Sequence, residues 1–237
     1  MDRWHRIRLG NEEIPYQLRR SSRRRSIGLR VEPAGLVVSV PSRLPQRAWE
    51  AVLLEKSGWV LAKLEEMRAR VIPVFAWRDG ETLPFLGGPL ELVVEHGGPR
   101  TRPVLLDGLL RVALPDPADA AALEARVVRW YRREALAFFQ QRVAHYARQL
   151  GANVSRLGLS NARTRWGSCT SKGAVRLNWR LVKAPPAVID YVVAHELAHL
   201  LELNHSPAFW RIVAQLCPEH ASLRAELRDQ SAYYHLF

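Results

Sequence analysis

The sequence predicts an α+β protein, with a β-hairpin-rich N-terminal part over residues 1–115 and a mixed C-terminal part over 116–237. Three observations carry this. Apolar and polar residues alternate within the first 115 positions, helical spacing governs 45–70, 117–150 and 185–203, and Pro115-Asp116-Pro117 punctuates the chain between the two parts. Of 237 residues, 48% are hydrophobic and 24% charged, values that exclude a disordered or collagen-like chain. No apolar run approaches the roughly 18 residues of a membrane span, and the basic start MDRWHRIRLG is followed by no apolar h-region, so neither membrane nor secretory signal is expected. Cys169 and Cys217 cannot build a disulfide framework, which makes a reducing cytoplasm the expected compartment.

The elements follow in order. Ile27, Leu29 and Val31, then Leu36, Val38 and Val40 after a Pro33-Ala34-Gly35 turn, predict a hairpin with one buried face. The run Arg19 to Arg25 before it is read either as a phosphate-binding patch or as the solvated edge of that hairpin. Trp49, Val52, Leu53, Trp59, Val60 and Leu64 recur at helical spacing and read as core, with Gly58 able to kink or split the helix. Leu86-Gly87-Gly88-Pro89 and Asp107-Gly108 each turn between short strands. Asp116-Pro117 reads as cap and first residue of a helix that Gly151 stops, with Arg126, Arg129 and Arg133 on a basic face. Strands are expected around 156–160 and 174–181. A helix from Pro185-Pro186 to about 203 follows, and another begins at Ser206-Pro207.

The chemistry lies in His195-Glu196-Leu197-Ala198-His199. Residues i and i+4 share one helix face, so the two imidazoles can bind one metal ion, while Glu196 beside them can take a proton from a water the metal activates. Eight histidines in 237 residues make this pattern an accident only about 0.02 times per chain. A catalytic zinc usually keeps three protein ligands. His205 and Glu202 are the candidates. Three ligands on one straight helix cannot surround an ion, so His205, folded back past the helix end through Asn204, is favoured. Ile189, Val192, Val193, Leu197, Leu200 and Leu201 make the motif helix apolar on its other faces, which suits a rigid site. Tyr191 is read as either a support for His195 or core, Trp166 and Trp179 as core, and His220 as a surface histidine.

Residues 165–218 carry Arg165-Trp166-Gly167-Ser168-Cys169, Leu177-Asn178-Trp179-Arg180-Leu181, the His195–His199 motif, and Asn204-His205-Ser206-Pro207 with Phe209-Trp210. This stretch resembles the YgjP-like zinc metallopeptidases, relatives of the SprT-like proteases. The resemblance implies a zincin-like catalytic domain, one zinc per chain held by His195, His199 and His205, and Glu196 as catalytic base. It also implies that Trp166, Gly167 and Ser168 lead into a strand edge along which an extended peptide lies.

The expected function is therefore a zinc-dependent metallopeptidase acting on a peptide or protein substrate. Hydrolysis of a nucleotide phosphoanhydride is the alternative, discriminated by arginines such as Arg163 or Arg165 facing the metal, and no Walker-type glycine loop favours it. A net charge of +12 adds a third reading, a protease recruited to nucleic acid non-specifically by its basic N-terminal part.

Overall fold

The computed structural model describes residues 3–32, 35–69, 75–98 and 100–237. Pro33, Ala34 and Arg70, which the expected first turn and first helix include, lie outside the described residues. The chain is a mixed α+β protein of two compact units, Met1–Val71 and Ile72–Phe237.

In the first unit, β1 (Arg3–Leu9), β2 (Glu12–Ser21), β3 (Gly28–Glu32) and β4 (Gly35–Pro41) form one sheet in the order β1-β2-β4-β3. The outer pairs are antiparallel, and β2 runs parallel to β4. Two helices follow, α1 (Gln46–Glu55) and α2 (Ser57–Ala69). The helical stretch does split, at Lys56 rather than at Gly58. Leu9, Ile14, Tyr16, Leu36, Val38 and Val40 from the sheet enclose a core with Trp49, Leu53, Val60 and Leu64 from the helices. Within it the Trp49 indole donates to the Tyr16 hydroxyl at 3.1 Å. Trp59, read as core, is instead 48% exposed. The arginine run is not on a sheet edge. Arg19 and Arg20 sit on the interior strand β2, and Arg23 to Arg25 lie in the connection to β3.

The second unit opens with β5 (Thr82–Phe85), β6 (Gly88–His96), β7 (Val104–Leu106) and β8 (Leu109–Leu114), in the order β5-β6-β8-β7. Asp107 and Gly108 take positive φ, 49° and 77°, as a two-residue hairpin turn requires. The long helix α3 (Ala120–Leu150) starts later than expected. Asp119 is the cap, accepting from the Ala122 amide at 2.9 Å, while Asp116 accepts from the Ala118 amide in the preceding turn. Gly151, with φ 61°, ends the helix. Leu123, Val127, Trp130, Tyr131, Ala135 and Phe139 of α3 share a core with Leu83, Leu90, Leu92, Leu110, Val112 and Leu114. That shared core is why the compact units divide at Val71/Ile72, whereas the sequence reading placed a boundary at the Pro115-Asp116-Pro117 turn. Arg126 is buried against the Ala113 carbonyl, to which it donates, and so does not belong to the solvated face with Arg129 and Arg133.

After α3 come β9 (Arg156–Ser160), β10 (Gly167–Cys169) and β11 (Ala174–Asn178), in the order β10-β11-β9. The last strand stops at Asn178, shorter than expected, because the Asn178 side chain caps a 3-10 turn over Trp179–Lys183 by accepting from the Arg180 amide. Three helices complete the unit, α4 (Pro186–Ala198), α5 (Pro207–Leu216) and α6 (His220–Tyr234). Arg142 of α3 grips Asp190 of α4 through two hydrogen bonds, 2.5 and 2.7 Å. Among the described residues no helix is long and apolar enough to cross a membrane.

Candidate metal centre

The motif helix is apolar nearly all round. Val188, Ile189, Val192, Val193, Ala194, Leu197 and Ala198 are buried, which fixes α4 inside the unit and aims His195 and Glu196 from a rigid support. It ends sooner than the sequence suggests. His199 is the C-cap residue, and short bonds from the Leu200 and Leu201 amides to the Leu197 and Ala198 carbonyls tighten the last turn. Leu201, expected on the packed face, is 57% exposed.

His199 Nδ1 lies 3.2 Å from the Glu202 carbonyl, which can only accept, so this nitrogen carries the proton and Nε2 keeps a free lone pair. Glu202 is off the helix, and its carboxylate accepts from the Asn204 amide at 3.4 Å. The reversal is thus made by the Glu202 turn. Asn204 is not among the residues with positive φ, contrary to the left-handed turn expected of it. Ser206 caps α5 by accepting from the Phe209 amide, with Pro207 in the first turn as expected, and this pins His205 one residue before the cap.

These local structures bring three imidazoles to one place. Ligand atoms of His195, His199 and His205 all lie within 4.8 Å of one another, and the Nε2 atoms of His195 and His205 are 3.1 Å apart. Two nitrogens on one tetrahedral zinc would be separated by about 3.3 Å, so the cluster could hold such an ion. Burial, then the charges of His199, His205 and Arg224, push His195 down to about 4, and His205 is lowered by burial, His199 and Arg224. Both are therefore neutral imidazoles near pH 7, the form a metal binds. Phe209, fully buried, meets all three rings with centroids 4.9, 4.6 and 4.7 Å away.

The Glu196 side chain lies against β10. It is 7% exposed, and burial lifts its carboxyl to about 7 although Arg165 pulls the other way. A Cβ on Gly167 would lie 2.5 Å from the Glu196 Cγ and Oε1, so only glycine leaves room for the carboxylate. Of the three residues tied by resemblance to substrate binding, Gly167 alone is thus seen against Glu196. Trp166 stacks its ring on His235, 4.1 Å between centroids, and Ser168 is half-buried on β10 opposite Arg176. Trp179 is core, and Tyr191 is buried with its ring 6.0 Å from His195. Cys169 is half-buried and its thiol is pushed up to about 11 by burial and by Glu196.

Sequence reasoning missed two features. His220 is not a surface histidine: its ring stacks on Trp210 at 5.7 Å, and Trp210 also stacks on His205 at 6.0 Å. Arg224, one helical turn after His220, places its guanidinium 5.1 Å from the Trp210 ring and acts electrostatically on His195 and His205. The i, i+4 spacing of His220 and Arg224 was the available signal.

Three clustered histidines, with a buried carboxylate of raised pKa next in the chain to one of them, are the apparatus of a metal-dependent hydrolase. The family match agrees with that class. The YgjP-like metallopeptidase domain matches residues 25–230, and the chain belongs to the YgjP-like family. The UTP pyrophosphatase of Escherichia coli (strain K12) is 32% identical over 74 residues, which are 30% of this chain and 44% of that protein. The chain's match thus spans less than half the length of this curated relative. The crystal structure of the metallopeptidase zymogen of Pyrococcus abyssi abylysin aligns at 25% identity and a TM-score of 0.35, over 39% of this chain and 91% of that one.

Proposed function

We propose that the chain is a zinc-dependent hydrolase, with one ion held by His195, His199 and His205 and with Glu196 as general base in a zincin-like domain. The observation that carries this is the cluster of three imidazoles, with the buried Glu196 next in the chain to His195. Bound zinc would supply a Lewis acid that polarises the scissile group and makes water more acidic. The chain's own residues do the rest. Glu196, with a carboxyl near 7, takes the proton of the attacking water and returns it to the leaving group. Gly167 keeps the space in which that carboxylate works. His199, fixed by the Glu202 carbonyl, presents the correct nitrogen.

The first substrate reading is a peptide. In the sheet order β10-β11-β9, one long side of β10 pairs with no other strand among the described residues. An extended chain added there would run past Glu196, in the manner of strand addition, with Trp166, Gly167 and Ser168 beside it. The second reading is a nucleoside triphosphate. It is favoured by Arg165 acting on Glu196 and Arg224 acting on His195 and His205, cations suited to phosphate, and by the activity in the name of the E. coli relative. Two free thiols agree with a reducing cytoplasm as the working compartment. Zinc-loaded protein should be offered an unfolded protein and UTP in parallel, with Glu196→Gln as control. Turnover of the first alone supports the peptidase, and turnover of UTP alone supports the phosphohydrolase. Equal activity of the control on either substrate removes Glu196 from the mechanism.

A further inference from the structure

The first unit packs its helices on one face of its sheet; on the other face, among the described residues, only Val37 at its centre is buried. Ile7, Leu9, Ile14, Tyr16, Leu18, Leu29, Val31, Leu36, Val38 and Val40 face the helices. Strand alternation therefore turns Trp4, Arg6, Arg8, Arg19 and Arg30 to the opposite face, where all five are exposed. Register aligns Trp4, Gln17, Val37 and Arg30 as one row across all four strands. The next row holds Arg19, Ser39 and Gly28, and the Arg24 guanidinium occupies the place where Gly28 would carry a Cβ. Five guanidiniums thus share this face with two carboxylates, Glu13 and Glu32. Their ion pairs, Arg6–Glu13 at 3.2 Å, Arg30–Glu32 at 3.4 Å and Arg19–Glu32 at 3.9 Å, leave an excess of positive charge. The unit as a whole holds 15 Arg and Lys against 8 Asp and Glu, so most of the chain's charge of +12 is here.

We propose that this open sheet face binds single-stranded nucleic acid, with Trp4 stacking on a base and Arg6, Arg8, Arg19, Arg24 and Arg30 following the phosphates. A β-face with one exposed aromatic and a field of guanidiniums is the surface on which splayed bases and a polyanionic backbone are held together. It presents no protruding helix to enter a duplex groove. Trp4, 55% exposed, has no apolar neighbour on its own strand face to make a membrane anchor, since Arg6 and Arg8 follow it. The inference does not depend on the hydrolase reading, because it concerns other residues and another ligand.

The test is fluorescence anisotropy of a labelled 20-nucleotide oligo(dT) with the full-length chain at 50 mM and 200 mM salt. Binding is expected at low salt and should weaken steeply as salt rises. Trp4→Ala should lose about tenfold in affinity and Trp4→Phe should recover most of it, as stacking on one base requires. Arg19→Ala with Arg30→Ala should lose at least tenfold and flatten the salt slope by about 1–2. Arg129→Ala with Arg133→Ala, exposed arginines of α3, should stay within about twofold of the parent. Four results would overturn the proposal: no oligo(dT) binding at 50 mM salt, a Trp4→Ala protein that binds like the parent, a 20-base-pair duplex bound more tightly than the single strand, or an equal loss in the α3 control. Binding to phosphatidylserine vesicles in place of oligo(dT) would also refute it.

Discussion

Glu196 and Gly167 are coupled by a contact that forbids a side chain on the second. Gly167→Ala should force the Glu196 carboxylate aside, so turnover should fall at least about 100-fold while zinc content stays at that of the parent; rate and metal assays on one preparation check this. Glu196→Gln should also keep zinc and lose about 10²–10⁴ in kcat, since an amide cannot take the proton. Lys183 makes a separate prediction. It is fully buried among Tyr131, Trp179 and Phe237, donates to the Leu236 carbonyl, and is pushed down to about 6 by burial and by Arg180. Between pH 6 and the unfolded value near 10.4, the unfolded chain holds a proton that the folded chain lacks, so this group's penalty is full below pH 6 and fades as pH rises. Lys183→Met should therefore gain stability relative to the parent at pH 7. That advantage should shrink by up to about 1.4 kcal/mol per pH unit on the way to pH 9.5 in denaturant titrations. A difference independent of pH would mean that Lys183 is charged in the folded protein. No sequence pattern announces Lys183, because its environment is completed by two distant segments, at Tyr131 and at Leu236-Phe237, whereas the histidine motif is local and was legible at once.

At the scale of elements, the start of α5 was readable because Ser206-Pro207 is a local signal, and the end of α4 was not. His199, Leu200 and Leu201 are all compatible with helix, and no glycine or proline follows; tertiary packing and the Glu202 turn decide where the helix stops. The same ambiguity separates Asp116 from Asp119, two acids that could each cap α3. Beside the core that α3 and α4 share, the Arg142–Asp190 pair ties the two helices, and it holds the guanidinium pKa above its ordinary value chiefly through that hydrogen bond. Asp190→Asn should lower stability by about 1–3 kcal/mol in chemical denaturation, since a part-buried guanidinium loses its charged acceptor. The histidines on α4 should still bind zinc in that variant, because their own ring contacts are untouched.

The whole molecule repeats a plan that the sequence does not display. The orders β1-β2-β4-β3 and β5-β6-β8-β7 share the same pattern of antiparallel, parallel and antiparallel pairs, and each sheet is followed by helix. A repeat in hydrogen-bond order needs no repeat in side chains, so no self-similarity in the sequence revealed it. For the same reason the division at Val71/Ile72 was hidden, while the conspicuous proline turn at 115–117 lies inside one core. Two cores predict two melting transitions. Because zinc would bind only the folded second unit, a thousandfold excess over Kd should stabilise that unit by about 4 kcal/mol, and chelation should lower its transition alone in calorimetry. The measurement that tests the central claim most directly is zinc content per chain in the parent, Glu196→Gln and His205→Ala proteins after equilibration with zinc and removal of the excess. One zinc in the first two and a clear loss in the third is the predicted result. Full occupancy in His205→Ala, or no zinc in the parent, would contradict a centre built from His195, His199 and His205.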